Sequence, residues 1–491
     1  MKVKIVYLFA MCWLFKIDIA QVYFNNRYDN FNNGDISTGI NQLGSDYLVY
    51  GCAANSFSFY SLNLGIVNSN GIRVKNKTYN RGSNLIVPNN SKCIVNSTTN
   101  FIISGGHFYK PDTSLAFLWR FNDNLDSIDY KEYGFLNKTN QVMGLIKDPT
   151  KYIYMVGWVD SLYKNTDILL IKTDTSGNEI WKKKIGLTGW DETAYCLKTC
   201  ANGNLLIGGL KDLRGSSQQG PFIMRLDSSG GILWQNYYPS GTYANGSFDA
   251  MEMPNGDIVF TGGKGYAVTG NGTLRRPMLT RLDAGGNLIW QKEYGEQAVG
   301  HDFFTFLVNE KNNFVVSGVK FYPNNSCVGM VYEINQNGDS LFSREYAIQP
   351  GSQNYFRDIV QAPDKGYCFS GFITPVYANG GTGNQDIWLL KTDSTFCESA
   401  VSCGYPTGVR DISYELGEVS VYPNPSNSII NIVDEFSQLQ NATIQIKNYL
   451  GQIVFSSPFV NQINLQSLSD GMYFLTLLDE HKTHTVKFVK Q

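Results

Sequence analysis

The sequence is poor in the residues that most often perform acid–base catalysis or bind nucleic acids. Only 4 histidines occur in 491 residues, charged residues make up 17%, and the formal net charge is -2. No basic stripe of the kind that contacts phosphates is visible. No two of the 9 cysteines have the Cys-x-x-Cys spacing of a zinc site. The sequence therefore predicts no metal site, no cofactor and no nucleic-acid partner.

Apolar runs long enough to cross a membrane are also missing. A shorter run stands at the start, where Lys2 and Lys4 precede the apolar segment Ile5–Phe15. Spanning a bilayer takes about 20 apolar residues. This pattern therefore predicts a secretory signal peptide over residues 1–20 and export to the periplasm, and we predict no transmembrane segment.

The cysteines that remain after cleavage permit disulfides in an exported chain but do not prove them. Cys196 and Cys200 would lie roughly 13 Å apart on one strand, which is too far for a disulfide. Cys397 and Cys403 flank the end of a domain, where a disulfide would close a small loop.

Aromatic residues (14%) and the 48 glycines are abundant, which is typical of short strands joined by tight turns. Three segments share the order of apolar strand, Asp, Gly-containing turn and Trp-containing strand: LLIKTDTSGNEIWKKKIG (169–186), FIMRLDSSGGILWQNYYP (222–239) and MLTRLDAGGNLIWQKEYG (278–295). The marker position is occupied by Asn68, Asn122, Asp174, Asp227, Asp283, Asn335 and Asp393. Successive markers are 52 to 58 residues apart, so the chain contains an internal repeat.

Each repeat holds about four short strands, which is the content of one propeller blade. The last repeat lacks its Trp strand, and VYFNNRY (22–28) resembles that missing strand, with Phe24 in the Trp place and Tyr28 in the Tyr place. A strand supplied by the N-terminus would close the ring and cover its open edge. We therefore predict an all-β protein with a seven-bladed β-propeller over residues 21–400, and an open β-solenoid is the alternative.

From about Gly417 the repeat stops, and short alternating strands predict a small Ig-like β-sandwich over residues 417–491, after a linker at 401–416. Four segments occur in order: VSVYPNPSNSIINI (419–432), IQIKNYLGQIV (444–454), INLQSLSDGMYFLTL (463–477) and VKFVKQ (486–491). They resemble the C-terminal sorting domain (Por secretion tail) of the type IX secretion system of Bacteroidetes.

This resemblance implies the type IX secretion machinery as a partner and a secreted or cell-surface location after Sec export. The residues that carry the motif are Tyr422, Pro423, Asn424, Pro425, Gly451, Gly471, Tyr473 and Lys487.

Long loops of the repeats carry aromatic residues and carboxylates, which suit sugar stacking or a protein partner. The predicted ligand face contains Trp158, Trp190, Asp191, His301, Asp302 and Tyr322, and further loop aromatics are Phe108, Tyr109, Tyr163, Tyr266, Phe321 and Tyr377. We therefore predict a non-catalytic binding or adhesion module with a glycan or protein ligand.

The alternative is a secreted carbohydrate-active or other hydrolytic enzyme. Its carboxylates would come from Asp191, Asp249, Asp302 and Asp358 gathered at one mouth of the propeller. A quinone-dependent dehydrogenase is disfavoured by the spacing of the Asp, Gly and Trp residues. The Gly338–Leu341 segment spells the GDSL of some esterases, but it lies on a repeat turn, and we expect no catalytic site on Ser340, His107 or His301.

Overall fold

A computed structural model of the chain divides into two compact units, Met1–Cys403 and Gly404–Gln491. The residues that the structure describes are 21–30, 34–56, 59–81, 85–88, 93–97, 100–110, 113–161, 164–186, 189–213, 219–238, 246–268, 272–296, 299–323, 325–376, 383–399, 419–434, 442–448, 452–479 and 482–491. The predicted signal peptide, the linker at 401–416 and Gly451 therefore lie outside the described residues.

Every regular element of the described residues is a strand, which confirms the all-β prediction. The N-terminal strand is β1 (Phe24–Tyr28). The first sheet contains β2 (Asp35–Leu43), β3 (Asp46–Ser56), β4 (Phe59–Val67) and β5 (Arg73–Tyr79). The second contains β6 (Leu85–Pro88), β7 (Ile94–Ser97), β8 (Asn100–Lys110), β9 (Thr113–Asn122) and β10 (Ser127–Tyr133). The third contains β11 (Thr139–Lys147), β12 (Tyr152–Ser161), β13 (Lys164–Asp174) and β14 (Glu179–Ile185).

The next sheets repeat this antiparallel order. The fourth contains β15 (Trp190–Thr199), β16 (Leu205–Leu213), β17 (Gln219–Leu226) and β18 (Ile232–Tyr237). The fifth contains β19 (Ala250–Glu252), β20 (Ile258–Val268), β21 (Gly272–Leu282) and β22 (Leu288–Glu293). The sixth contains β23 (His301–Val308), β24 (Phe314–Phe321), β25 (Cys327–Ile334) and β26 (Ser340–Tyr346). The seventh contains β27 (Gln353–Gln361), β28 (Tyr367–Thr374) and β29 (Asp386–Thr392), and a single pairing of Cys327 with Gln353 links it to the sixth.

The N-terminal strand completes the seventh sheet. β1 runs antiparallel to β29, with Phe24 opposite Lys391 and Tyr28 opposite Ile387. This pairing, which the broken last repeat predicts, is confirmed. It joins the two ends of the first unit and satisfies the backbone groups along the outer edge of β29.

Hydrophobic cores lie between consecutive sheets. Six clusters of buried residues join the first sheet to the second and so on to the seventh. A further cluster joins the seventh sheet back to the first and includes Phe24, Tyr47, Val49 and Leu389. The described sheets therefore form a closed, propeller-like ring, in which each sheet is stabilised by burial against two neighbours.

The marker residues of the repeat are caps of the turns before the outermost strands. In the fifth sheet, Oδ1 of Asp283 accepts the backbone N–H groups of Gly285 and Asn287, both at 2.9 Å. Asn68, Asn122, Asp174, Asp227, Asn335 and Asp393 accept backbone N–H groups in the same way. Short Asn and Asp side chains stabilise such turns because they replace a backbone acceptor.

A tyrosine at the end of most outermost strands ties one sheet to the next. Tyr294 of the fifth sheet donates its hydroxyl hydrogen to the carbonyl oxygen of Gly338 in the sixth at 2.8 Å. Tyr28 of the N-terminal strand makes the equivalent bond to Gly71 of the first sheet at 2.7 Å. The N-terminal strand therefore reproduces both the pairing and the intersheet bond of an ordinary repeat.

The second unit has two antiparallel sheets. One contains β30 (Val419–Tyr422), β31 (Ile429–Asp434) and β34 (Gln462–Asn464), and the other contains β32 (Thr443–Asn448), β33 (Ile453–Pro458), β35 (Gly471–Asp479) and β36 (Lys482–Lys490). Buried side chains of both sheets share one core, including Ile430, Ile444, Leu475 and Phe488. This is the layered arrangement of a small β-sandwich.

Cys397 is disulfide-bonded, and the other described cysteines, including Cys196 and Cys200, form no disulfide. Cys403 lies outside the described residues, so its pairing with Cys397 stays a prediction.

Candidate ligand channel

The first strands of neighbouring sheets enclose a cavity of about 620 Å³ at the centre of the ring. Its lining comes from the first strand of each sheet or from the segment next to that strand, and in the second sheet from β7 and Cys93 before it. One lining residue of each sheet, in order, is Thr38, Cys93, Met143, Tyr195, Phe248, Phe304 and Arg357. We call this cavity the axial channel. A cavity of this size falls within the range of small-molecule binding sites.

A β-bulge aims the side chains at the channel. The register of the first strand skips one residue in five sheets, and the skipped residues are Thr38, Met143, Tyr195, Phe304 and Arg357. All five line the channel. A bulge bends its strand and re-aims a side chain, which is why bulges are frequent next to binding sites. The same local distortion therefore presents five different residue types to one space.

Four neighbouring residues form an aromatic arc with a cation at its end. Tyr195 and Phe248 stack with ring centroids 4.9 Å apart, and Phe248 meets Phe304 edge-on at 5.5 Å. The guanidinium carbon of Arg357 lies 4.5 Å from the ring centroid of Phe304. Aromatic faces in a cavity offer stacking surface to planar or sugar-ring ligands, and the cation adds attraction for an anion.

The guanidinium of Arg357 packs against aromatic rings rather than against carboxylates. Besides Phe304, its guanidinium lies 5.7 Å from the centroid of Tyr355 and 5.5 Å from that of Phe372. Burial lowers the pKa of Arg357, but a guanidinium remains charged at neutral pH. Within the described part of the chain, this guanidinium has no hydrogen bond or ion pair. Its donors are therefore available to a ligand.

The carboxylates of the channel join neighbouring strands. Asp249 accepts the hydroxyl hydrogen of Thr305 at 2.8 Å and the N–H of Phe306 at 3.3 Å, both in the next sheet. Asp358 accepts the N–H of Ile40 at 2.9 Å across the closure of the ring. These two carboxylates therefore bridge adjacent sheets at equivalent places.

The charged residues that line the channel sum to a net positive charge. Lys147, Lys198 and Arg357 oppose Asp249 and Asp358, which leaves +1. Nζ of Lys198 lies 2.8 Å from Oδ1 of Asp249. Burial lowers the pKa of Lys198, but the Asp249 carboxylate outweighs that effect and raises it above its usual value. The channel is therefore suited to an anion better than to a cation.

The residues predicted for a ligand face do not line the channel. The Trp190 ring packs edge-on against Tyr237 with centroids 5.4 Å apart, and Nζ of Lys211 lies 4.7 Å from its centroid. Asp191 accepts the N–H of Thr166 at 3.0 Å. Contacts within the fold therefore engage both residues.

His301 and Asp302 are buried at the start of β23. Nδ1 of His301 lies 2.8 Å from the carbonyl oxygen of Val299, and burial lowers the pKa of His301 to about 4. Asp302 accepts two hydrogen bonds from Arg275, at 3.1 Å from Nε and 2.8 Å from Nη2. These contacts position the strand rather than present the side chains to solvent.

Tyr322 belongs to an ionic arrangement that recurs around the ring. Its hydroxyl donates to Oε2 of Glu345 at 2.7 Å, and Nζ of Lys320 lies 2.9 Å from Oε1 of the same residue. Equivalent groups in the fifth sheet are Tyr266, Lys264 and Glu293. In the second sheet, His107 takes the place of the lysine beside Glu132, and the tyrosine that contacts Glu132 is Tyr130 of the outermost strand. Trp158 is half-buried in β12 between Gln141 and Ile168 of the flanking strands.

The topology separates the residues that an esterase would need. Ser340 begins β26 and His301 begins β23, and β25 and β24 lie between these strands. Three strand spacings amount to about 14 Å, far beyond a hydrogen bond. His107 belongs to the second sheet, where Nδ1 lies 2.7 Å from Oε1 of Glu132.

Asn424 connects the first loop of the second unit to its last strand. Its side-chain amide donates to the carbonyl oxygen of Lys487 and its Oδ1 accepts the N–H of Val489, both at 3.0 Å. Tyr473 is buried, stacks on Phe488 and donates to the carbonyl oxygen of Ser469 at 2.7 Å.

The remaining described motif residues are all exposed: Tyr422, Pro423, Pro425, Lys487 and Gly471, which begins β35. The motif thus combines core residues with an exposed stretch beside the first strand.

Residues 420–491 match the family described as secretion system C-terminal sorting domain. The protein is therefore a type IX substrate of the Bacteroidetes kind, which is exported to the cell surface or secreted. No curated protein matches the chain. No helix of the described residues is long and apolar enough to cross a membrane.

Solved structures similar to the chain are propeller-like and distant. A protein of unknown function from Dyadobacter fermentans is 14% identical with a TM-score of 0.43, over 64% of this chain and 96% of its own. A lignostilbene dioxygenase from Pseudomonas brassicacearum is 7% identical with a TM-score of 0.43, over 76% and 89%. An endo-arabinase from Bacteroides thetaiotaomicron is 11% identical with a TM-score of 0.32, over 55% and 96%. These likenesses carry no argument about activity.

Proposed function

We propose that the first unit is a non-catalytic binding module whose axial channel takes an acidic glycan. The sorting domain would export this module. The observation that carries this proposal is Arg357, a guanidinium stacked on Phe304 with no ion pair among the described residues. A carboxylated sugar ring would satisfy both features, since its carboxylate pairs with a guanidinium and its ring stacks on an aromatic face.

The test is binding of matched acidic and neutral oligosaccharides to the mature chain. We expect the acidic member of each pair to bind and Arg357→Ala to weaken it at least tenfold, with affinity falling as salt rises. Arg81→Ala is the matched control, because Arg81 lies 3.9 Å from the ring centroid of Tyr130 outside the channel. Equal binding of neutral and acidic sugars, or equal losses in the two variants, would overturn the proposal.

A hydrolytic enzyme is the second candidate, because Asp249 and Asp358 line the same channel. Glycoside hydrolysis would need two carboxyl groups about 5–10 Å apart with access to substrate. The hydrogen bonds of both residues to neighbouring strands favour the binding module instead. Release of reducing ends that is abolished by Asp249→Asn and Asp358→Asn, with binding retained, would favour the enzyme.

We propose that the two roles are separable along the chain, with the module at 21–400, a linker at 401–416 and the sorting domain at 417–491. Removing residues 417–491 should leave a folded first unit that accumulates in the periplasm. Secretion of the shortened chain at normal levels would contradict the boundary.

A further inference from the structure

Three carboxylates meet where the N-terminal strand joins the ring. Asp29 follows β1, Asp35 begins β2 and Asp386 begins β29. One oxygen of each lies within 4.8 Å of the others. They therefore come from three segments that must be brought together for the ring to close.

Asp35 has an oxygen that the protein leaves unused. The residue is fully buried, its Oδ2 accepts the N–H of Asn30 at 2.7 Å, and its Oδ1 has no hydrogen-bond partner among the described residues. A buried carboxylate oxygen without a partner is costly, and a bound cation would remove that cost.

The local charge also calls for a cation. Nε and Nη2 of Arg27 contact Asp386, and this guanidinium neutralises one of the three carboxylates. The nearby Arg73 donates to the carbonyl oxygen of Asp29 at 3.1 Å and to the side chain of Asn30 at 2.6 Å. Three carboxylates and these two guanidinium groups leave -1, which favours a cation.

We propose that Asp29, Asp35 and Asp386 bind a divalent metal ion, for which Ca²⁺ is the best match, and that this ion clamps the N-terminal strand to the ring. Ca²⁺ prefers six to eight oxygen ligands and accepts irregular sets of carboxylates, carbonyls and water. The sequence predicts no metal site because Asp386 lies about 350 residues from Asp29 and Asp35, and the three form no calcium-loop pattern.

Burial of two of the three ligands agrees with this assignment. Asp35 and Asp386 are both buried, and keeping charged carboxylates away from water is costly. A bound divalent ion would offset that cost and stabilise the folded state.

The test uses the mature chain with Ca²⁺, with Mg²⁺ and with a chelator at neutral pH. We expect calorimetry to give one Ca²⁺ per chain and the thermal midpoint to rise by several degrees with Ca²⁺. Asp35→Asn and the milder Asp29→Asn, at an exposed position, should each weaken Ca²⁺ binding at least tenfold. Asp123→Asn, outside the cluster, is the matched control and should bind normally.

Two results would overturn the proposal. One is a thermal midpoint that neither Ca²⁺ nor the chelator changes. The other is Ca²⁺ binding that persists unchanged in Asp29→Asn and Asp35→Asn. Neither result bears on the axial channel, which glycan binding tests separately.

Discussion

The outermost and innermost strands of the same sheets differ in how much their residues vary from one repeat to the next. At the outer side, Asn or Asp caps every marker turn, and Tyr28, Tyr133 and Tyr294 tie successive sheets together by equivalent bonds. At the inner side, the bulge position carries Thr, Met, Tyr, Phe or Arg in different sheets. Positions that stay the same between repeats hold the ring together, and the position that differs from sheet to sheet faces the channel. This comparison separates the residues that stabilise the fold from the residues whose identity can vary with the ligand.

The strongest test of whether the outer strands hold the ring together is to remove the N-terminal strand. Deleting residues 21–28 would expose the edge of β29 and remove buried Phe24 and Tyr28. We expect the free energy of unfolding to fall by at least about 5 kcal/mol, and we expect the shortened chain to aggregate through the exposed edge. Thermal denaturation and light scattering measure the effect.

The control moves the strand instead of removing it. Grafting residues 22–28 directly after Cys397 places Phe24 seven residues after Asp393, the spacing between Asp174 and Trp181. This variant should fold again. A deletion variant that melts like the intact chain would contradict the closure of the ring.

His301 sharpens the comparison, because it lies on an inner strand and yet has the contacts of a structural residue. Its pKa is lowered to about 4 in the fold, against 6.5 for a free histidine, so the unfolded chain binds the proton first. Stability should therefore be full above about pH 6.5 and fall towards pH 4, by on the order of 3 kcal/mol. Denaturant unfolding across this range should show a flatter profile for His301→Gln. An unchanged profile would mean that His301 is not held neutral.

A single hydroxyl tests the outer side at smaller scale. Tyr294→Phe removes the donor to the carbonyl of Gly338 while the ring stays in place. The carbonyl loses its buried partner, so we expect the free energy of unfolding to fall by about 1–3 kcal/mol. Ligand binding should not change. Urea unfolding measures the stability, and a neutral result would argue that the intersheet bonds are dispensable.

The same chemical change in the channel should have the smallest effect on stability. Tyr195 stacks on Phe248 and lines the channel, and the structure gives its hydroxyl no hydrogen bond within the described residues. Tyr195→Phe should therefore change the free energy of unfolding by less than about 0.5 kcal/mol. If it instead destabilises the protein as much as Tyr294→Phe, the distinction between inner and outer positions is wrong.

Much of the fold could be predicted because the repeat is local. The marker residues, the glycine turns and the Trp strands lie within about twenty residues of one another, and the missing Trp strand at Asp393 pointed to Phe24 and Tyr28. The candidate site could not be predicted in this way. Arg357 packs against Phe304 of the preceding repeat and against Tyr355 and Phe372 of its own. Nothing next to it in the sequence marks it as different from Met143 or Thr38, which occupy the same bulge position.

The sequence by itself determined the repeat, its caps, the closing strand and the sorting domain, because each depends on residues close together or on a motif with its own order. Only the tertiary structure decided which side chains share the channel and that Asp29, Asp35 and Asp386 meet. The physical reason is that ring closure and bulges act across sheets. They set direction and distance between residues hundreds of positions apart, whereas composition and spacing describe only neighbours.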